Sequence, residues 1–291
     1  MSTFSFSKVV IIQALDQGDD ESGTKLGQFI DSLRSFHQNI PRVELINLQC
    51  RQEFLDVIDR LTREAEQSDE CPILQIEMHG WDDKSGLAFP DESSLLWHEL
   101  ATPFAKLNKA TGFNLLVCMS ACFGGRSLSF VKPDSPSPCF ALIGPTESIF
   151  PDELLASFKS LYRELLTTLD ANAALAKLHA TKLQKGGFIT VTAEDWFFRL
   201  ADGYLRTYCT KERLATRGAA IIEKLRSEGT ELNATQLSAF AQIGQKMAYS
   251  FVDRQFPRFF MLEDTPGNRS RFDASLSAAK LRINEFMASQ K

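Results

Sequence analysis

The sequence predicts an α/β fold, a three-layer α/β/α sandwich around a mainly parallel sheet, with a helical region after it. Three observations predict it. Through residues 1–180, short apolar runs rich in Val, Ile and Leu alternate with longer segments of helical period. The runs lack polar alternation, the mark of strands buried on both faces by crossover helices. After Gly187 the strand rhythm weakens, and from Lys211 the pattern is helical.

The elements follow in order. Lys8 to Leu15 (KVVIIQAL) is a β-branched run read as a buried strand. An acidic loop, Asp16 to Gly23, leads to a helix from Thr24 to His37, with Leu26, Phe29, Ile30 and Leu33 on one face. Val43 to Leu48 is the second strand, Gln52 to Glu66 the second helix, and Ile73 to Met78 the third strand. Leu95 to Lys109 reads as a helix despite Pro103, Asn114 to Ser120 as the fourth strand, and Cys139 to Gly144 as the fifth. Leu154 to Leu169 and Ala173 to His179 are helices, Phe188 to Thr192 a last strand, and Trp196 to Tyr208 a helix. Helices are expected over 211–227, 234–252 and 275–288, with a proline- and aromatic-rich stretch from Phe256 to Gly267. Two regions result, 1–208 and 209–291, the second suited to docking a substrate or partner.

Composition narrows the function. The 291 residues are 44% hydrophobic and 24% charged, as in a globular protein with a sizeable core. The longest apolar runs are four or five residues, far below the roughly 20 of a spanning helix, so no membrane partner is expected. The N-terminus has no basic segment followed by an apolar one, and six cysteines without such a leader read as reduced thiols in a cytoplasm. A net charge of −5 argues against direct nucleic-acid binding. The charge is uneven: residues 181–291 carry 17 Lys+Arg against 12 Asp+Glu, and residues 1–180 carry 15 against 25.

Two strand ends carry chemistry. The third strand ends in His79-Gly80; the fourth ends at Ser120-Ala-Cys122, followed by Phe123-Gly124-Gly125-Arg126. His79 and Cys122 are 43 residues apart, room for one loop, one helix and a return to the neighbouring strand. On adjacent parallel strands both side chains reach one sheet edge, as a nucleophile and its base. The Gly80 and Cys122 N–H groups would face a developing oxyanion. Among the other cysteines, Cys118 reads as core, and Cys118/Cys122 has no second pair to make a zinc site. No metal or cofactor is required by this chemistry.

An apolar strand ending His-Gly, then one ending Ser-Ala-Cys-x-Gly, resembles the caspase-fold (clan CD) cysteine peptidases, most closely their bacterial CHAT branch. Phe140-Ala-Leu-Ile-Gly-Pro-Thr is similar to the family's strand after the cysteine, and Phe158 to Leu166 with Ala173 to Ala180 to its next helices. The resemblance covers about residues 8–180. It implies a caspase-like sandwich with His79 as general base and acid and Cys122 as nucleophile, in an endopeptidase acting on a protein substrate. By analogy it also implies an activating protein partner and a role as an effector of antiviral defence or programmed death. The chain departs from the caspase pattern. Ser120 stands where caspases carry glutamine, and no Arg or Lys lies between the first strand and Lys25. Asp16, Asp19 and Asp20 follow the first strand instead, and Asp82 and Asp83 follow His79-Gly80. A pocket for a basic residue is therefore expected, with Asp16 as its acidic contact and Asp82, Ser120 and Arg126 as further substrate-binding candidates. Two alternatives stay open: an idle caspase-like interaction module, and a thiol amidohydrolase acting on a small amide.

Overall fold

The computed structural model describes residues 4–81, 83–125, 135–230, 233 and 243–290. It is a mixed α/β structure in two compact units, the first closing at Ala193 and the second built on Glu194–Lys291. The sequence boundary of 208/209 therefore differs from the structural one: the helix before Tyr208 groups with the C-terminal helices. The Phe197 ring of that helix packs on Phe256, Phe259 and Phe260, with centroids 5.2–5.8 Å apart.

The first unit is a sheet of β1 (Lys8–Ala14), β2 (Arg42–Asn47), β3 (Pro72–Gly80), β6 (Leu116–Ser120), β7 (Ala141–Pro145) and β8 (Phe188–Thr192), in the order β2-β1-β3-β6-β7-β8. All neighbours are parallel except β8, which runs antiparallel to β7. Every residue of β1, β6 and β7 is buried, as their unbroken apolar runs require. Edge strand β2 (RVELIN) is partly exposed along its length. A hairpin of β4 (Gly86–Ala88) and β5 (Ser94–Leu96) extends β3 through the antiparallel pairs His79↔Ala88 and Gly80↔Leu87.

Helices cover both faces. On one lie α1 (Ser22–Arg34) and α4 (Pro151–Thr168), packed on each other; on the other lie α2 (Arg51–Ser68) and α3 (Ala101–Ala110). Direction of travel assigns the faces: α1 carries the chain from β1 outward to β2, while α2 and α3 carry it the opposite way, and right-handed crossovers then alternate sides. The short α5 (Ala171–His179) packs on α4 and is capped by Asp170, whose carboxylate accepts the Asn172 and Ala173 N–H groups. The expected helix from Leu95 begins later. Leu95 lies in β5, a 3-10 turn covers Trp97–Glu99, and Pro103 falls in the first turn of α3, where its missing N–H costs nothing.

The second unit holds α6 (Ala193–Tyr208), α7 (Lys211–Ser227), α8 (Ile243–Phe259) and α9 (Asn268–Ser289). Of the expected helix over 234–252, residues 234–242 lie outside the described residues and the rest falls in α8. Helix α8 runs through Pro257 into the stretch read as irregular, because Phe256 and Phe259 are buried in the aromatic cluster.

Candidate active site

The strand order creates the crevice. From adjacent β1 and β3 the chain leaves in opposite directions, to β2 and to β6, so the loops beyond their carboxyl ends diverge. Asp16 and Asp19 enter from the loop after β1, His79 from the end of β3, and Cys122 just past β6.

Register aligns the pair. β3 and β6 are paired from Ile73↔Leu116 to Glu77↔Ser120, a constant offset of 43 residues, the separation of His79 and Cys122. The two residues therefore stand at corresponding positions two residues beyond the last pair, His79 by side-chain alternation on the sheet face of Glu77. Gly80 locks this apposition. A Cβ on it would lie 2.2 Å from the Cys122 carbonyl oxygen and 3.4 Å from the Cys122 Cβ, so only glycine fits. After Cys122 the chain turns through Phe123 at φ 60° and packs Gly124 on Met119, where a Cβ would meet the Met119 Cγ at 2.4 Å.

His79 is half-exposed, and its Nε2 lies 2.7 Å from the Asp19 Oδ2. The same oxygen accepts the Asp16 N–H at 2.9 Å. The hydrogen bond with His79 holds the Asp19 carboxyl below the usual carboxylate range. With Nε2–H donated to Asp19, Nδ1 is the nitrogen left to take a proton. The Cys122 Sγ lies 3.2 Å from the Ser148 Oγ, and no hydrogen bond joins it to His79. In the β3–β4 ladder the Trp81 N–H bonds the Gly86 carbonyl, so the next pair, Gly80/Leu87, falls between ladder bonds and leaves the Gly80 N–H unused there. The Phe123 and Gly124 N–H groups are taken by Glu147 and Ala121 carbonyls.

A buried polar column runs beneath. On the same face, Glu77 accepts bonds from Ser22 Oγ at 2.6 Å and Gln75 Nε2 at 2.7 Å, and Tyr162 donates to Gln75 Oε1 at 3.0 Å. Burial, partly offset by hydrogen bonds from Ser22, Gln75 and Ser120, pushes the Glu77 carboxyl up to about 7. Burial also pushes the Cys118 thiol up to about 12 and that of Cys139 well above its usual value, which makes both inert.

The expected substrate residues separate. Asp16 lines a cavity of about 550 Å³ beside His79 and Gly80, with Trp81, Phe89 and Glu92. This cavity has two carboxylates and aromatic walls, and among the described residues no Lys or Arg lines it. Ser120 does not line it: it is buried, and its hydroxyl bonds Glu77. Asp82 and Arg126 lie outside the described residues. The sequence reading names Asp19 only as an acidic loop residue and passes over Ser148, Glu77 and Glu92. Asp19 was visible as part of the acidic loop; Ser148 and Glu92 become neighbours of the site only through loop geometry. Ligand atoms of Asp16, Asp19 and His79 lie within 4.8 Å of one another, the one group of metal-ligand type among the described residues.

No family model and no curated protein sequence matches the chain. Among solved structures, it is similar to the X-ray structure of a secreted C11 cysteine protease from Bacteroides thetaiotaomicron, "iotapain". The likeness covers 84% of this chain and 86% of that chain, at 10% sequence identity and a TM-score of 0.47.

Proposed function

We propose that the protein is a cysteine endopeptidase in which Cys122 is the nucleophile and His79 the general base and acid. The observation that carries this is the common register that sets His79 and Cys122 at neighbouring strand ends, with Asp19 on the imidazole and Gly80 pressed on the Cys122 backbone. His79 Nδ1 accepts the Cys122 proton, and the thiolate attacks the peptide carbonyl carbon. The Gly80 and Cys122 N–H groups donate to the oxyanion. The C–N bond breaks as His79 returns the proton to the leaving amine, and water then hydrolyses the thioester, freeing the acid and the thiol. Asp19 keeps its charge throughout and stabilises the imidazolium. Free-enzyme catalytic bonds are often unformed and tighten around substrate, which accommodates a thiol that rests against Ser148.

The acidic cavity beside His79 selects a basic side chain before the scissile bond: Asp16 and Glu92 supply charge, and Trp81 and Phe89 flank an aliphatic stem. By the motif resemblance the enzyme acts on a protein substrate, is switched on by a partner, and serves bacterial defence or cell death; its six free-thiol cysteines suit a reducing cytoplasm. A second reading, an interaction module with an idle pair, is favoured by the missing His79–Cys122 hydrogen bond. Mass spectrometry of a native-host lysate treated with wild type or Cys122→Ala separates the two. New termini after Lys or Arg, absent with Cys122→Ala, support the peptidase; identical profiles support the idle module, and termini after Asp alone remove the basic pocket.

A further inference from the structure

Helices α6 and α8 of the second unit line an open cleft of about 860 Å³. Its lining follows helical spacing, Arg199, Gly203 and Thr207 with Tyr204 and Tyr208 from α6, and Arg254 and Arg258 from α8. Three arginines thus share one concavity in which no lining residue carries a carboxylate. Among the described residues none of the three is ion-paired; Asp202 pairs instead with Arg282 at 3.4 Å and Asp253 with Lys280 at 2.6 Å, both on α9, and Asp195 lies one turn before Arg199 on α6. All three arginines are exposed and meet water in the free protein, and an anion bridging them would gain charge-assisted bonds to each.

The rest of the wall is aromatic. Tyr204 stacks on Phe251 with centroids 4.1 Å apart and planes 10° apart, and the next ring along α6, Tyr208, is 47% exposed. The cleft is open at the exposed Gly203, where a Cβ would meet no atom within 4 Å. A cavity of this size lies in the range of small-molecule sites and is several times larger than a phosphate ion needs. Guanidinium forks match phosphate oxygens two at a time, and exposed tyrosine rings stack planar heterocycles.

We propose that this cavity is a nucleotide site, with Arg199, Arg254 and Arg258 on the phosphates and the base against the tyrosine wall. It stands apart from Cys122 chemistry and holds whether or not the pair is active. Calorimetric titration of the full-length chain with ADP, GDP, CDP, UDP, pyrophosphate and adenosine tests it. At least one nucleoside diphosphate is expected to bind about tenfold or more tighter than pyrophosphate, with adenosine undetectable at about 1 mM. The double variant Arg254→Ala/Arg258→Ala and the filling variant Gly203→Leu should each weaken that binding by about tenfold or more. Gly203→Leu replaces a mid-helix glycine by a strong helix former with room for its Cβ, so its unchanged or raised Tm separates a filled cavity from a misfolded chain. The proposal is overturned by no nucleotide binding at about 1 mM, by equal affinity for pyrophosphate and the best nucleotide, by unchanged binding in Gly203→Leu, or by a phosphopeptide that binds more tightly than any nucleotide.

Discussion

At the scale of single residues, the site depends on what flanks the dyad. Asp19 fixes the imidazole by a 2.7 Å bond to Nε2. Asp19→Asn should lower kcat by about 10- to 100-fold and slow thiol alkylation of Cys122, with a fold that melts within a few degrees of wild type. Steady-state kinetics on a basic fluorogenic peptide checks the first outcome and iodoacetamide kinetics the second. Glu77 is the other decisive group. Burial raises its carboxyl to about 7 in the folded protein, above the ordinary 4.5. Between those values the folded chain holds a proton the unfolded chain has released, so this group makes stability fall as pH rises from about 4.5 to 7. Glu77→Gln should flatten that fall and raise stability above pH 7 by up to about 3 kcal/mol, read from urea midpoints across the pH series.

At the scale of elements, strand register is the main positioning device. The equality of the 43-residue spacing and the β3–β6 offset is why two distant residues stand at corresponding places beyond neighbouring strands. That much was legible in the sequence, because both strands are mainly apolar runs, one ending in His79-Gly80 and the other in Ser120-Ala-Cys122. The role of Gly80 was legible only in part. The sequence marks a residue free of side chain, but the 2.2 Å approach of a Cβ to the Cys122 carbonyl is a tertiary fact. Gly80→Ala should displace the Cys122 segment and cut kcat/KM by about 100-fold or more, together with a lower Tm. Preserved turnover in Gly80→Ala would mean that the close approach does not govern the site. The β4–β5 hairpin was missed because three-residue strands show too little alternation to separate from a helix start. Ser148 and Glu92 escaped for a related reason: each reaches the site from a loop whose path no local pattern encodes. The run of α8 through Pro257 was likewise set by tertiary packing, its buried phenylalanines outweighing the local signal of a break.

At the scale of the whole molecule, the two ends of the sheet are built for different ends. At the amino end of β1, Lys8 is buried and bonds Glu64 at 2.8 Å and Glu70, while Arg60 bridges Glu44 and Glu64. Burial pulls the Lys8 ammonium down, but its bonds to Glu64 and Glu70 more than offset this and leave it raised. Lys8→Met keeps the buried stem and removes the charge. Because Arg42 and Arg60 still pair those carboxylates, the loss should be about 1–2 kcal/mol in urea unfolding, with no change in the reactivity of Cys122. The carboxyl end carries the divergent loops, the acidic cavity and the His79 and Cys122 positions. The positive balance of residues 181–291 acquires a place in the three arginines between α6 and α8. The central claim is that Cys122 is a nucleophile activated by His79. Intact mass measurement after exposure to a lysyl acyloxymethyl ketone tests it most directly. One adduct per wild-type chain is predicted, none on Cys122→Ala, and labelling slowed by about 100-fold or more in His79→Ala. A wild-type chain that stays unlabelled, or a His79→Ala chain labelled at the wild-type rate, would contradict the account.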